Sequence, residues 1–495
     1  MHIDFHAVAN LFVYHKGDFL SINSGFFLFL FIAFTGIYSL VYRREFVRNW
    51  FIIAFSLFFY YKSSGVYVAL LAFTCISDYF IGKFLFAAHK KHARLCLLLL
   101  SICINLGMLV YFKYTNFLGE MFSNLLHRPF QGFTIFLPAG LSFFVFQSLS
   151  YTIDLYRKNT EPARSLSEYA FYLTFFPRIL TGPIVRAKDF LPQIRRTPVV
   201  SREDFGRGIF WISTGLFKKM IISDYISLNF VDRIFDEPTL YSGLENLFGV
   251  YGYTLQIYCD FSGYTDMALG VALLMGFTLP ANFDSPYQSA NITEFWRRWH
   301  ITLSQWLRDY LYISLGGNRK GKIRTYINLM ITMVLGGLWH GAAMRYILWG
   351  TLHGAALVVE KFVKSFTKGR VIITNRLIAG GTHLLSQLAT FHFVAFCWIF
   401  FRAKDMPTAK SVLTQISTQF HPEVFLQFMH GYSTVLWLMV VGYALHVVPR
   451  SRELRVQQFF IRTPIVLKIF YLAVILFTVI QMKSSEIQPF IYLQY

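Results

Sequence analysis

The sequence predicts an all-α polytopic membrane protein of roughly eleven to twelve transmembrane helices, each needing about 20 apolar residues, with re-entrant segments between them. Three observations predict it. Hydrophobic residues make up 55% of the 495 positions and charged residues only 15%, against about 25% charged in a soluble domain. Aromatic residues reach 19%, with Phe 55 and Tyr 29, which suits a lipid-facing surface with interfacial belts. The basic residues sit in short loops between apolar runs. A net charge of +20 also fits a nucleic-acid binder, but this loop distribution is the positive-inside pattern of a membrane protein, so nucleic acid is set aside.

The first apolar run is Gly25–Tyr42, followed by Arg43, Arg44 and Arg48. A cleavable signal peptide carries its charge before the apolar core, so the reversed order predicts a retained span with the N-terminus outside. Upstream, His2, Asp4, His6 and His15 resemble a metal fragment but lack partners; an interfacial lead-in is preferred, and no metal site is expected. Trp50–Phe86 suits two spans, up and back, with a break at Ser63, Ser64 and Gly65. Lys83 and the stretch His89–Arg94 then mark a cytoplasmic loop. Leu95–Phe112 runs outward, Lys113–Gly132 reads as an external loop, and Phe133–Tyr156 returns through a helix kinked or broken at Pro138 and Gly140.

Tyr169–Ile194 is interrupted by Pro177, Arg178, Gly182, Pro183, Arg186 and Lys188. Irregular backbone at membrane depth requires surrounding protein or a cavity. The segment reads as re-entrant, lining a cytoplasm-facing cavity, with an ordinary surface loop as the rival. Phe210–Ile226 and Leu247–Met275 are further spans, the second interrupted by polar Cys259–Met267. Asp260 and Asp266 within it are expected to pair with a loop arginine rather than to handle protons. Leu384–Phe401, Val435–Val448 and Ile465–Ile480 complete the spans, after a basic segment that includes Lys361, Lys364, Lys368 and Arg370. The five cysteines (Cys75, Cys96, Cys103, Cys259 and Cys397) lie in apolar runs without metal or disulfide spacing and read as packed core residues. No internal repeat appears, and residues 1–495 read as a single membrane-embedded domain.

The stretch Asn291–Gly354 organises the chain. Its basic block holds Arg297, Arg298, Arg308, Arg319, Lys320, Lys322 and Arg324 against Glu294 and Asp309, which predicts a cytoplasmic position. Read as helix, Trp296, His300, Ser304 and Arg308 share one face. After a break at Leu315–Arg319, Asn328, Thr332, Gly336 and His340 again fall every fourth residue, a small and polar stripe that either packs closely or lines a tunnel; the tunnel is favoured. A cationic mouth attracts an anionic donor such as the phosphates of coenzyme A or phosphopantetheine. An apolar tunnel accepts an acyl thioester, and a histidine at its end takes the proton of an attacking hydroxyl. A lone histidine in an apolar run is more often a hydrogen-bonded core residue than a base, so the residues alone leave both readings open.

The chain resembles the membrane-bound O-acyltransferase family, in its bacterial alginate O-acetyltransferase-like branch. The matching motifs are FKYTNFL (Phe112–Leu118), LPAGLSFFVFQSLSYTIDLYR (Leu137–Arg157), GPIVRAKDFLPQI (Gly182–Ile194), DFSGYTDMALG (Asp260–Gly270), the long stretch Ala281–Arg319, GLWHGA (Gly337–Ala342) and LWGTLHG (Leu348–Gly354). The resemblance covers roughly residues 18–404, leaving 405–495 as a C-terminal transmembrane extension. The resemblance implies a ring of helices around a central tunnel, with His340 catalytic and His300 the second functional position. Trp296, Arg297, Arg298, Ser304, Arg308, Asn328, Thr332 and Trp339 are then the donor-binding and tunnel candidates. Arg178 and the Met344–Arg345 pair depart from the family pattern, and an arginine near His340 bears on the acceptor side and on the histidine's pKa.

The function expected is transfer of an acetyl or short acyl group from a cytoplasmic thioester to hydroxyls of an exported cell-surface polysaccharide, directly or through an extracytoplasmic esterase-like partner. The donor is a co-substrate, acetyl-CoA or an acyl carrier protein, with no tightly bound cofactor, and the expected location is the bacterial inner membrane. Two alternatives stand beside it: D-alanyl transfer to teichoic acid from an acyl carrier protein, and a lipid-linked sugar transporter or flippase.

Overall fold

The computed structural model describes residues 10–15, 20–366 and 376–482; His2, Asp4, His6, Lys368 and Arg370 lie outside them. Among the described residues the regular elements are helices, without strands. The chain forms two compact units, one of residues up to 212 together with 267–280, the other of 213–266 together with those from 281 onward.

The first unit begins with α1 (Gly25–Val41), whose N-terminus is capped by Ser24 accepting from the Phe27 amide at 3.1 Å. α2 (Glu45–Ser64) and α3 (Val68–Ala87) are joined through a short turn at Gly65, where φ is 56°. Glycine takes that left-handed conformation without steric cost. α4 (Lys91–Leu109) runs through a π-helical turn at Val110–Tyr114 into α5 (Thr115–Leu126). The expected external loop is therefore partly helical, because FKYTNFL keeps an apolar face across the turn. α6 spans Leu141–Tyr156 and starts after Gly140 (φ 72°), so Pro138 and Gly140 precede the helix instead of kinking it.

α7 (Leu166–Thr174) and α8 (Ala187–Arg195) bracket a non-helical stretch in which Phe175–Val185 are buried. That burial excludes the surface-loop reading. Phe176 fixes the stretch, its ring 4.9 Å from Phe55, 5.4 Å from Phe34 and 5.9 Å from Phe59. Arg178 is 2% exposed; its guanidinium donates to the Tyr172 carbonyl and lies over the Tyr172 and Phe190 rings, 5.2 and 4.9 Å from their centroids. Two basic residues that read as loop markers are helix caps. Arg48 is buried and donates to the Arg196 carbonyl at 2.9 Å and to that of Ile194. Arg94 donates to the Leu85, Leu155 and Tyr156 carbonyls at 3.0, 3.2 and 2.8 Å, closing α3 and α6. A cation at the negative end of a helix is favourable.

α9 (Arg202–Leu216) and α10 (Gly243–Leu274) each continue from one unit into the other. α10 is continuous, so the polar Cys259–Met267 stretch does not interrupt it. Its carboxylates find lysines, not a loop arginine: Lys219 Nζ is 2.6 Å from Asp260 and 2.7 Å from Asp224, and Lys218 Nζ is 2.7 Å from Asp266. Lys218 and Lys219 sit in a π-helical turn, Phe217–Ser223. The remaining helices of the second unit include α11 (Ile292–Arg298), α12 (Ile301–Trp306), α13 (Gly321–His340), α14 (Met344–Phe366), α15 (Arg376–Arg402), α16 (Met406–Thr418), α17 (Ser433–His446), α18 (Arg450–Arg462) and α19 (Ile465–Met482). Cys75, Cys259 and Cys397 are buried, but Cys96 and Cys103 face outward on α4, so the core reading fails for those two.

Among the described residues three helical stretches are long and apolar enough to cross a membrane, or five if two bent pairs each count as one span. A count of eleven to twelve includes shorter and more polar helices, such as α13 with Lys322, Arg324 and His340. Large apolar side chains lie exposed on outer faces, among them Leu40, Phe84, Leu385 and Phe470, as a lipid-contacting surface requires.

Candidate active site

The site is built on the hairpin of α13 and α14. Gly337 of α13 faces the Tyr346 carbonyl so closely that an added Cβ would sit 2.2 Å from its oxygen, and one on Gly350 would sit 2.4 Å from the Met333 oxygen. Small residues let the two backbones approach. His340 is the last residue of α13 and is 4% exposed. Its ring is surrounded by aromatics: Trp339 at 5.0 Å, Trp349 at 5.1 Å and Phe401 at 5.3 Å between centroids.

His300 is fully buried and adopts φ 40°, between α11 and α12. The single helical face expected for Trp296, His300, Ser304 and Arg308 is therefore broken. The cause is a preceding extended segment: Asn282 accepts from the Ile301 amide through its carbonyl (2.9 Å) and from the Thr302 hydroxyl through its side chain (2.7 Å), while the Arg298 carbonyl accepts from the Asp284 amide (3.0 Å). These bonds compete with the helical ladder and turn the chain. The turn brings the His300 ring 4.6 Å from Phe261 and 6.1 Å from Trp339. Trp339 thus touches both histidines.

The other candidates divide. Trp296 joins the cluster, 5.7 Å from Trp349 and 5.2 Å from His353. Arg297 is exposed; Arg298 pairs with Glu294 at 2.7 Å and Arg308 with Asp309 at 2.6 Å. α11 opens with a reciprocal cap in which Asn291 accepts from the Glu294 amide (2.9 Å) and Glu294 from the Ala290 amide (3.0 Å). Ser304 donates to the Trp299 carbonyl at 3.2 Å. Asn328 is buried and donates to the Leu315 and Gly317 carbonyls at 3.3 and 2.9 Å, pinning the glycine loop, and Thr332 bonds back to the Asn328 carbonyl. A Cβ on Gly336 would meet Leu307 at 3.1 Å. Close packing accounts for much of the polar stripe expected to line a tunnel.

Arg345 donates to the Phe401 carbonyl at 2.6 Å and lies 4.1 Å from the Tyr346 ring centroid. It ties the start of α14 to the end of α15. His353 was not singled out from sequence. It is fully buried, 4.7 Å from Trp349 and near-parallel to Phe295 at 6.0 Å, and neither ring nitrogen has a hydrogen-bond partner among the described residues. The available signal was the four-residue spacing of Trp349 and His353 in LWGTLHG, which puts both on one helical face. Trp398 and Phe401 of α15 complete the wall, stacking on Trp349 at 5.7 Å and meeting it edge-on at 5.4 Å.

Comparison with known proteins places this assembly. Residues 139–374, which contain His300, His340 and His353, match the model of the membrane-bound O-acyltransferase family. The chain is 40% identical over 394 residues to the probable alginate O-acetylase AlgI of Pseudomonas aeruginosa, covering 78% of this chain and 73% of that one. The chain belongs to the membrane-bound O-acyltransferase family. It is also similar to the peptidoglycan O-acetyltransferase of Helicobacter pylori, with 35% identity over 80% of this chain and 79% of the relative. The likeness to the teichoic acid D-alanyltransferase of Bacillus subtilis is shorter, 30% identity over 56% of this chain and 71% of that one. As a member of the family the protein is a multi-pass membrane acyltransferase, and the transporter reading falls away.

Proposed function

We propose that the protein transfers an acetyl or similarly short acyl group from a cytoplasmic thioester to hydroxyls of an exported cell-surface polysaccharide. The observation that carries this reading is the buried ring cluster holding His300 and His340 around Trp339, in a chain whose long matches include two O-acetylating proteins. In this reading the protein lies in a bacterial inner membrane with its N-terminus outside. The basic block Arg297–Arg324 draws in the donor, acetyl-CoA or a carrier protein's phosphopantetheine, by its charge. The acceptor hydroxyl loses its proton to His340 as its oxygen attacks the thioester carbonyl carbon. A C–O bond forms, the C–S bond breaks, and the proton passes to the departing thiolate. His300 polarises or orients the carbonyl. An extracytoplasmic esterase-like partner relays the acyl group where the polymer cannot reach the tunnel.

D-alanyl transfer to teichoic acid is the second reading, favoured by the likeness to the Bacillus subtilis relative. Ester analysis of surface glycans from wild-type and His340→Ala cells separates them. Loss of ester-linked acetate supports O-acetylation, loss of D-alanine selects the second reading, and unchanged esters overturn both.

A further inference from the structure

The first unit holds a cavity of about 890 Å³, walled by the α3–α4 turn, the end of α6 and α8. Its lining is strongly basic. Arg94 and Arg195 have their guanidinium groups engaged, the first on helix-end carbonyls and the second on Glu168 at 2.5 Å. Glu161, the carboxylate in the lining, lies 3.9 Å from Arg195 and is 82% exposed. Lys91, Lys158, Lys188 and His89 also line the cavity and form no ion pair among the described residues.

Lys158 adds a second observation. It sits at φ 62°, just past the end of α6, where its amide donates to the Leu155 carbonyl at 3.1 Å and the Asn159 amide to that of Asp154 at 2.8 Å. Glycine or asparagine is the usual residue at such a left-handed helix end. A lysine there adopts an unfavourable backbone conformation, at a position that lines the cavity. The exposed aromatic side chain Phe86 also lines the cavity.

We propose that this cavity binds a phosphate-bearing ligand, the headgroup of an acidic phospholipid or the phosphates of a soluble nucleotide thioester. Both present multiple anionic oxygens to ammonium groups, which bind phosphate as point charges. Basic pockets between membrane helices are suited to such headgroups. The inference rests on the cavity's own charges and stands whatever acyl group the protein moves.

The test uses the full-length protein in detergent, titrated with dioctanoyl phosphatidylglycerol, dioctanoyl phosphatidylcholine and coenzyme A. Wild type is expected to bind phosphatidylglycerol or coenzyme A at least tenfold more tightly than phosphatidylcholine, with an affinity that falls as salt rises. Lys91→Gln/Lys158→Gln/Lys188→Gln is expected to lose at least tenfold, and the matching triple arginine variant to retain binding. Phosphatidylglycerol binding that coenzyme A does not displace assigns a headgroup site; the reverse assigns the soluble donor, and mutual displacement assigns a shared site. Wild type without preference for either anion, or a monodisperse glutamine variant that binds as wild type does, overturns the proposal.

Discussion

The imidazole of His340 and the indole of Trp349 lie 5.1 Å apart, edge to face at 84°. The last residue of one helix is thereby held by the second turn of its partner. His340→Ala removes the imidazole and leaves the hairpin glycines in place. Acyl transfer should fall by a factor of about 10² or more, the usual weight of a positioned acid–base group. Chromatographic behaviour and melting temperature should stay at wild-type values. Transfer at the wild-type rate would remove His340 from the mechanism.

Gly337→Ala tests the hairpin. The new Cβ would lie 2.2 Å from the Tyr346 oxygen, so α13 and α14 must separate, at an overpacking cost of about 1–3 kcal/mol. Both melting temperature and acyl transfer should drop. Gly380→Ala in α15, with nothing within 4 Å of the added atom, should change neither. Equal behaviour of the two variants would mean that the close approach does not position the site.

His353→Phe keeps an aromatic ring beside Phe295 and Trp349 and removes two buried nitrogens that lack partners among the described residues. A buried polar group left unsatisfied costs about 1–3 kcal/mol. The melting temperature should therefore hold or rise. A clear fall would show that the imidazole makes a bond worth more than its burial costs.

Lys219→Met leaves two carboxylates, Asp224 and Asp260, facing a lost cation at 2.7 and 2.6 Å. Breaking a buried pair by removing one partner costs about 3–5 kcal/mol. Expression and melting temperature should collapse. Asp260→Asn should be milder, since Lys219 keeps Asp224. Comparing the melting curves of the two variants checks the order.

The apolar runs and their breaks were legible in the sequence because lipid imposes a simple rule of length and charge. Gly25–Tyr42 and the hinge at Gly65 appear where hydropathy and loop residues place them. The break in the helix at His300 was not legible, since Trp296, Ser304 and Arg308 keep a helical period straight through it. What turns the chain is Asn282, eighteen residues earlier, and a local pattern carries no trace of that. Arg48 and Arg94 misled in the same way: a basic residue at the end of a run looks solvated until the carbonyls it caps are seen. The two histidines of the site stood out by type, whereas Trp349, Trp398 and Phe401 look like any other aromatic residues in an aromatic-rich chain.

The π-helical turns at Phe217–Ser223 and Leu307–Tyr312 fit an extra residue into an otherwise regular coil. Each extra residue rotates everything beyond it by about 100° relative to an uninterrupted α-helix. Cysteines walked one position at a time from 301 to 315 and labelled with a water-soluble thiol reagent would trace two accessibility waves, out of step with each other across the turn. Any alignment or graft that deletes one residue there would restore a smooth helix and swing the glycine loop that Asn328 holds onto the wrong side of it.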